Sequence, residues 1–536
     1  MALYLLAMAL TLTWGWDGKA VDGGDLLAAA QTLGIPHPPG YPTYMLALKG
    51  FITAVPVGDI AYRGNLFSAL CAALAVVLVY ASALRLCRYA LPKSPVSLAV
   101  VSAALGASML AAAPLFWSQA VVTEVYTLNA LFAAALLFIA LHVTLPAHSF
   151  SQPHPGEPAR ADVVPNERLL LAAFWLLFGL GLGNHLTLLA VGAPLAVLLL
   201  RTRGIRAILS PRTVAPFVAG LSVYAYLPIR AAADPPVNWG DADSPAGFLW
   251  LVTARAYGNY AFGVPASQVG SRVLETIELI FVQLNPLGLF FAIVGGRLAI
   301  GMLPRVFWAM IFTIIAVTVY SIGYRSVDPE VLMVPAIMAG AVLGGVGFAW
   351  LVGTLVLGES GDAMKANGAH AVLPGPAGAV ATGWRIAILG GLAFLFLPAV
   401  SIGLNYTDQD LSDDRSARER ATEIMAALPP DAIVFSRTEK DFFSLWYVQH
   451  AEGGRPDVAV VAPLLLPFDW YRGQLERRYP DRVPSLPNSE SQFPSMDAIV
   501  EHNRGNGTVY FTFGDANVAD RYGLERSGSV YVATGR

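Results

Sequence analysis

Residues 168–200, RLLLAAFWLLFGLGLGNHLTLLAVGAPLAVLLL, make one apolar run of 33 residues. A helix crossing a bilayer needs about 20 residues, so a single span leaves much of this run unused, whereas two short helices meeting at GLGLGNH (Gly179–His185) use all of it. The choice decides the fold, because each crossing reverses the sidedness of everything that follows. Non-helical backbone at membrane depth is tolerated only against protein or a water-filled cavity, which singles out His185 as a candidate site residue; a hydrogen-bonded packing histidine is the alternative.

The whole chain has the same character. Of its 536 residues 55% are hydrophobic and 13% charged, against about a quarter charged in soluble proteins, so the expected class is an α-helical polytopic membrane protein. A formal charge of −3 and the lack of a long basic tract exclude a nucleic-acid partner. Cys71 and Cys87 fall on one expected helix, sixteen residues apart, about 24 Å at the helical rise, so they cannot pair with each other. Met1–Trp16 lacks the features of a cleaved signal and reads as a short first membrane helix.

Working outward from the break, basic residues mark the cytoplasmic ends: Arg85, Arg88 and Lys93 after the run from Arg63, then Arg201, Arg203, Arg206 and Arg212, then Arg297 and Arg305. The result is about eleven transmembrane helices, cytoplasmic connectors at 146–166 and 358–383, and residues 1–404 as the membrane domain. Residues 405–536 change composition, with strand-like runs at Ala432–Phe435, Val458–Val461, Val509–Phe513 and Val530–Ala533 and a helix around Phe442–His450. They read as a small extracytoplasmic α/β domain. The protein is placed in the plasma (inner) membrane.

This topology brings Asp22, Asp25, His37, Glu124, His185, Arg230, Asp241, Arg325 and Asp328 to one outer face. Asp22, Asp25 and His37 belong to the opening loop, 17–42, DGKAVDGGDLLAAAQTLGIPHPPGYP. There Leu26, Leu27, Ala30 and Leu33 make an apolar stripe suited to a helix lying on the membrane surface, and Pro38 and Pro39 stiffen the chain beside His37. Asp22 as an N-cap and Asp25 as a first-turn acid is the competing explanation; Asp17 reads as a solvated acid. Glu124 lies between apolar runs, where an ionisable group is costly unless it faces a cavity; Tyr126 and Asn129 follow it. Arg230 and Arg325 suit bidentate phosphate binding, with ion pairs to Asp241 or Asp328 as the alternative. Asp241/Asp243 and Asp408/Asp410 are Asp-x-Asp patterns common in loops, so no metal site is assigned, though a divalent ion is left open. No phosphate loop or HExxH motif is present.

DGGDLLAAAQTLGIPHPPGYPTY, SQAVVTEVYTLN, GNHLT, YLPIRAAADPPVNWGD, SVDPEVLMVP and LWYVQHAEGGRPDVAVV resemble, in order, blocks of the family of membrane proteins related to transmembrane protein 260. The resemblance implies a GT-C-type glycosyltransferase with protein O-mannosylation as the animal activity, taking sugar from a polyprenyl-phosphate carrier. It matches Asp22 to the family's first-loop acid, the implied base, and Asp25 to a position usually held by Glu. Catalytic candidates are therefore Asp22, Asp25 and Glu124. Candidates for holding substrate are His37, Tyr41, Tyr126, Asn129, His185, Arg230, Trp239, Asp241, Arg325 and Asp328. No cofactor is expected. The expected partners are a polyprenyl-phosphate sugar donor, a protein, glycan or lipid acceptor, and membrane lipids. The competing functions are a secondary transporter or lipid flippase, which calls for broken helices and midplane acids, and a non-catalytic scaffold whose tail binds a partner.

Overall fold

The computed structural model describes residues 1–16, 19–145, 166–357, 376–504 and 508–534. Asp17, most of the connector at 146–166 and most of that at 358–383 fall outside the described residues. Among the described residues eight helices are long and apolar enough to cross a membrane, or nine if the pair Val96–Ala111 and Pro114–Ala120, bent by 68°, counts as one span. This is fewer than the expected eleven, for two reasons. Met1–Trp16 holds only the short helix Ala2–Ala7, whose Tyr4 and Ala7 are buried. Glu167–Leu182 is a helix of only 16 residues.

The 168–200 run does break where its polar residues fall. Helix Glu167–Leu182 ends at Gly183, and a 3-10 turn, Leu186–Leu188, leads into helix Leu189–Arg203. Gly183 closes against Thr43 and Val223, where a side chain would collide with both. The broken backbone is therefore buried in protein, as lipid demands.

Helix Val334–Leu357 stands at the centre of the bundle, its hydrophobic window wholly buried. Without a hydrophobic drive between helices in lipid, close packing by small residues holds them together. Methyl groups added to Gly295 or Gly347 would strike the Leu343 and Phe291 carbonyls, and one on Gly106 would strike that of Ala341. Helix Ala266–Met302 bends at Asn285, whose φ is 49°, just before Pro286; the Asn285 side-chain oxygen accepts from the amides of Leu287 (2.9 Å) and Gly288 (3.1 Å) to restart the helix.

The last membrane helix runs on to Gln409, and beyond it lies a five-stranded sheet in the order β2-β1-β3-β5-β4. β1 (Ile433–Phe435) pairs in parallel with β2 (Ala459–Val461) and β3 (Val509–Phe511); β5 (Val530–Ala533) runs antiparallel to β3 and β4 (Leu524–Ser527). The strand reading misses β4, an edge strand of sequence LERS that is mostly exposed. An edge with one polar face carries no long apolar run to detect.

The opening loop departs most from expectation. Gly23–Thr32 is helical, but Leu26 through Ala30 are fully buried, so it does not lie on a membrane surface. Alanine on the face opposite the leucines lets it sit between the bundle and the soluble domain.

Gly347→Val is expected to destabilise the bundle by about 1–3 kcal/mol through overpacking, read as a lower thermal midpoint in detergent, whereas Gly391→Ala, where an added Cβ meets nothing, leaves it unchanged.

Candidate active site

Asp25 is fully buried and accepts from three donors: the His37 backbone N–H (2.9 Å), His37 Nδ1 (2.7 Å) and Trp239 Nε1 (3.3 Å). The Pro38–Pro39 peptide next to it is cis. These bonds lock the HPPG corner onto helix Gly23–Thr32. They also use up Asp25, which lies behind the site and holds His37 in place.

His37 turns its other nitrogen, Nε2, toward Tyr41 Oη at 3.2 Å and Asp22 Oδ2 at 3.4 Å. The Asp22 carboxylate makes no N-cap hydrogen bond, and its backbone is helical, which disposes of the capping explanation. Burial opposes the charged imidazolium, but the charge of Asp22 and the hydrogen bond and charge of Asp25 outweigh it and raise His37 to about 9. Burial in turn raises the Asp22 carboxyl; the charge of His37 pulls it back and that of Asp25 pushes it up further.

Asp22, His37 and Tyr41 line a cavity of about 1250 Å³, with Tyr126, His185, Arg325 and Asp328 on its other walls. Thr187 donates its backbone N–H to His185 Nδ1 at 3.3 Å, so the ring hydrogen sits on Nε2. Burial, then the charge of His37, lowers His185 to about 4 and keeps it neutral. Burial and then the charge of Asp22 raise Asp328 to about 6. Among the described residues the Arg325 guanidinium has no ion-pair partner, while its backbone N–H donates to the Tyr260 carbonyl at 2.9 Å.

Other candidates fall elsewhere. Arg230 does not reach the cavity: its Nε and Nη2 donate to the Leu33 (2.6 Å) and Thr32 (3.4 Å) carbonyls, capping the C-terminus of helix Gly23–Thr32. A cation there complements the helix dipole, and that explains an arginine on this face. Asp241 accepts from Gln474 Nε2 (2.8 Å) at the seam with the soluble domain. Trp239 is buried between His37 and Phe443. Asn129 donates to Thr187 Oγ1 at 3.3 Å. Glu124 is buried just behind the cavity, its carboxyl raised well above the usual range by burial and then by Asp22 and Asp328. Among the described residues no three His, Cys, Asp or Glu side chains gather in a metal-holding arrangement.

The cavity also holds residues that the sequence reading did not select: Lys19, paired with Glu330 at 2.8 Å, Tyr257, Tyr320, Tyr324, and Glu439 and Phe443 of the soluble domain. Tyr324 adjoins the candidate Arg325 in the sequence; nothing local signalled the last two.

Residues 22–206 match the family described as protein O-mannosyl-transferase TMEM260 N-terminal domain, and residues 417–512 match TMEM260-associated domain 2. The chain is 27% identical over 497 residues to protein O-mannosyl-transferase TMEM260 of Mus musculus, covering 89% of this chain and 64% of that protein. It is 22% identical over 526 residues to protein O-mannosyl-transferase tmem260 of Dictyostelium discoideum, covering 89% and 59%. The chain thus spans about six-tenths of the length of these curated relatives. In fold it is similar to ArnT from Cupriavidus metallidurans in the apo state, with a TM-score of 0.60 at 15% identity over 99% of this chain and 95% of that one. The same protein bound to undecaprenyl phosphate gives a TM-score of 0.56, at the same identity and coverage.

Folding raises His37 above its ordinary value of about 6.5, so its stabilising contribution is complete below that pH and is lost as pH rises through about 9. The wild-type thermal midpoint in detergent should fall as pH is raised from neutral through that value; His37→Gln should lose most of that slope.

Proposed function

We propose that this chain, which belongs to the family of membrane proteins related to TMEM260 and has a GT-C-type fold, is a membrane glycosyltransferase that passes a mannose-like sugar from a polyprenyl-phosphate carrier to a hydroxyl acceptor, such as a protein side chain. One observation carries the reading: an acid placed by a buried histidine clamp, Asp22, and an arginine without an ion-pair partner among the described residues, Arg325, line the same cavity. The protein O-mannosyl-transferase activity for which the relatives are named and the undecaprenyl phosphate bound to ArnT support the sugar and the carrier.

The acceptor oxygen attacks the anomeric carbon as its proton passes to the Asp22 carboxylate. The bond from that carbon to the phosphate oxygen breaks, and its electron pair leaves with the phosphate. Arg325 meets the charge that grows there, stronger in the transition state than before it. His185 Nε2–H and the tyrosines Tyr41, Tyr126 and Tyr324 offer hydrogen bonds to sugar hydroxyls. Glu124 sits behind them as a second acid. The lower wall, Leu186, Leu189, Ala190, Ile315 and Val319, is apolar. Leu189, Ile315 and Val319 are more than half exposed, toward where lipid would lie, which suits a polyprenyl chain entering sideways. Arg201 and Arg203 end the helix that starts beside His185, so the positive-inside rule supports an extracytoplasmic cavity; the membrane we assign is the plasma (inner) membrane. A transporter or flippase gains less support, since these acids gather in loops and at helix ends.

Asp22→Asn should lower transfer from a mannosyl-phosphate polyprenol to a peptide by about 100- to 10,000-fold in membranes, and wild-type transfer by that variant would remove the base assignment. Arg325→Ala should lose transfer too, whereas Arg230→Ala should keep turnover and lower the thermal midpoint.

A further inference from the structure

The soluble domain reaches the cavity through Glu439 and Phe443, one turn apart on helix Glu439–Trp446. That helix is seated directly on the opening loop. Gly24 meets the backbone of Phe443 so closely that a methyl there would collide with its carbonyl. Trp14 Nε1 donates to the Lys440 carbonyl and to Ser444 Oγ, both at 2.9 Å, and Lys440 Nζ lies 4.0 Å from the centre of the Trp14 ring. The Phe443 ring stacks on His37 with centroids 6.1 Å apart. The helix start is fixed separately by Thr438, whose hydroxyl accepts from the Asp441 amide at 3.3 Å.

Glu439 therefore has no capping duty and opens on the cavity. Phe443, one turn along the same helix, stacks on His37, whose Nε2 lies 3.4 Å from Asp22, and Gly24, two residues after Asp22, touches the Phe443 backbone, so Glu439 enters the cavity on the Asp22 side. Burial and then the charge of Asp22 raise its carboxyl to about 7. A carboxylate there repels a phosphate and attracts hydrogen-bond donors.

We propose that Glu439 binds the acceptor, accepting a hydrogen bond from an N–H or O–H adjacent to the nucleophilic hydroxyl, so that the soluble domain selects what is glycosylated. The inference rests on the transferase reading above. With full-length protein, mannosyl-phosphate polyprenol as donor and a Ser/Thr peptide as acceptor, Glu439→Ala should raise the peptide KM about tenfold or more, with donor KM and kcat within about twofold. Glu439→Asp should recover part of the loss. If Glu439→Ala shows no cooperative melting transition, Glu439→Gln is measured in its place. An unchanged peptide KM, or a loss confined to kcat or donor KM, overturns the assignment of Glu439 alone. Absence of sugar transfer by the wild type overturns the transferase reading and this inference with it.

Discussion

The bond between Asp25 and His37 is the constraint from which the site is built. A buried carboxylate costs several kcal/mol unless its lone pairs are met, and Asp25 meets that cost with three donors, two of them from one histidine. The bonds tie a helix to the proline corner that follows it, and they aim the far side of the imidazole at Asp22. Removing either partner leaves a buried group unpaired, a loss larger than the bond itself. The division of labour between the two first-loop acids follows: Asp25 is spent on position, and Asp22 is left facing open space.

Helix Gly23–Thr32 is held at both ends by unlike means. Arg230 closes its C-terminal carbonyls from the membrane side. At its N-terminal end, Gly24 admits the soluble domain to contact distance. Further ties run along the seam, Gln474 to the Asn238 carbonyl at 2.7 Å and Arg478 to the Pro236 carbonyl at 2.6 Å. The soluble domain is thus a wall of the cavity and not an appendage on a linker.

What was legible in the sequence divides along physical lines. The break at Gly183–His185 could be read because bilayer thickness limits one helix, and the nearness of Asp22 to His37 because a stiff corner keeps close neighbours close. Arg230 and Asp241 were expected to hold substrate but are engaged away from the cavity, by the Leu33 and Thr32 carbonyls and by Gln474, since a guanidinium that caps carbonyls and one that binds phosphate look the same until the neighbours are known. Glu439 and Phe443 lie far along the chain from Asp22 and just outside the LWYVQHAEGGRPDVAVV block, so only the tertiary contact through Gly24 reveals them. The surface-helix expectation failed because the leucine stripe was weighed without the alanines behind it, which let a second layer close over that face.

The charges around the cavity also explain why a histidine lies in its wall beside Asp22. Asp22, Asp328 and Glu439 share the lining, with Glu124 close behind. So many carboxylates in so small a space cannot all ionise without mutual repulsion; burial first, and then the charge of Asp22, raise both Asp328 and Glu439. A lysine or arginine in place of His37 would relieve the repulsion, but it would also pair with Asp22 permanently and weaken it as a base. His37 instead supplies a delocalised charge already shared with Asp25, close enough to favour ionised Asp22 yet 3.4 Å away, beyond a short charge-assisted hydrogen bond. Asp22 is left ionisable and still proton-hungry, which suits the base role proposed for it.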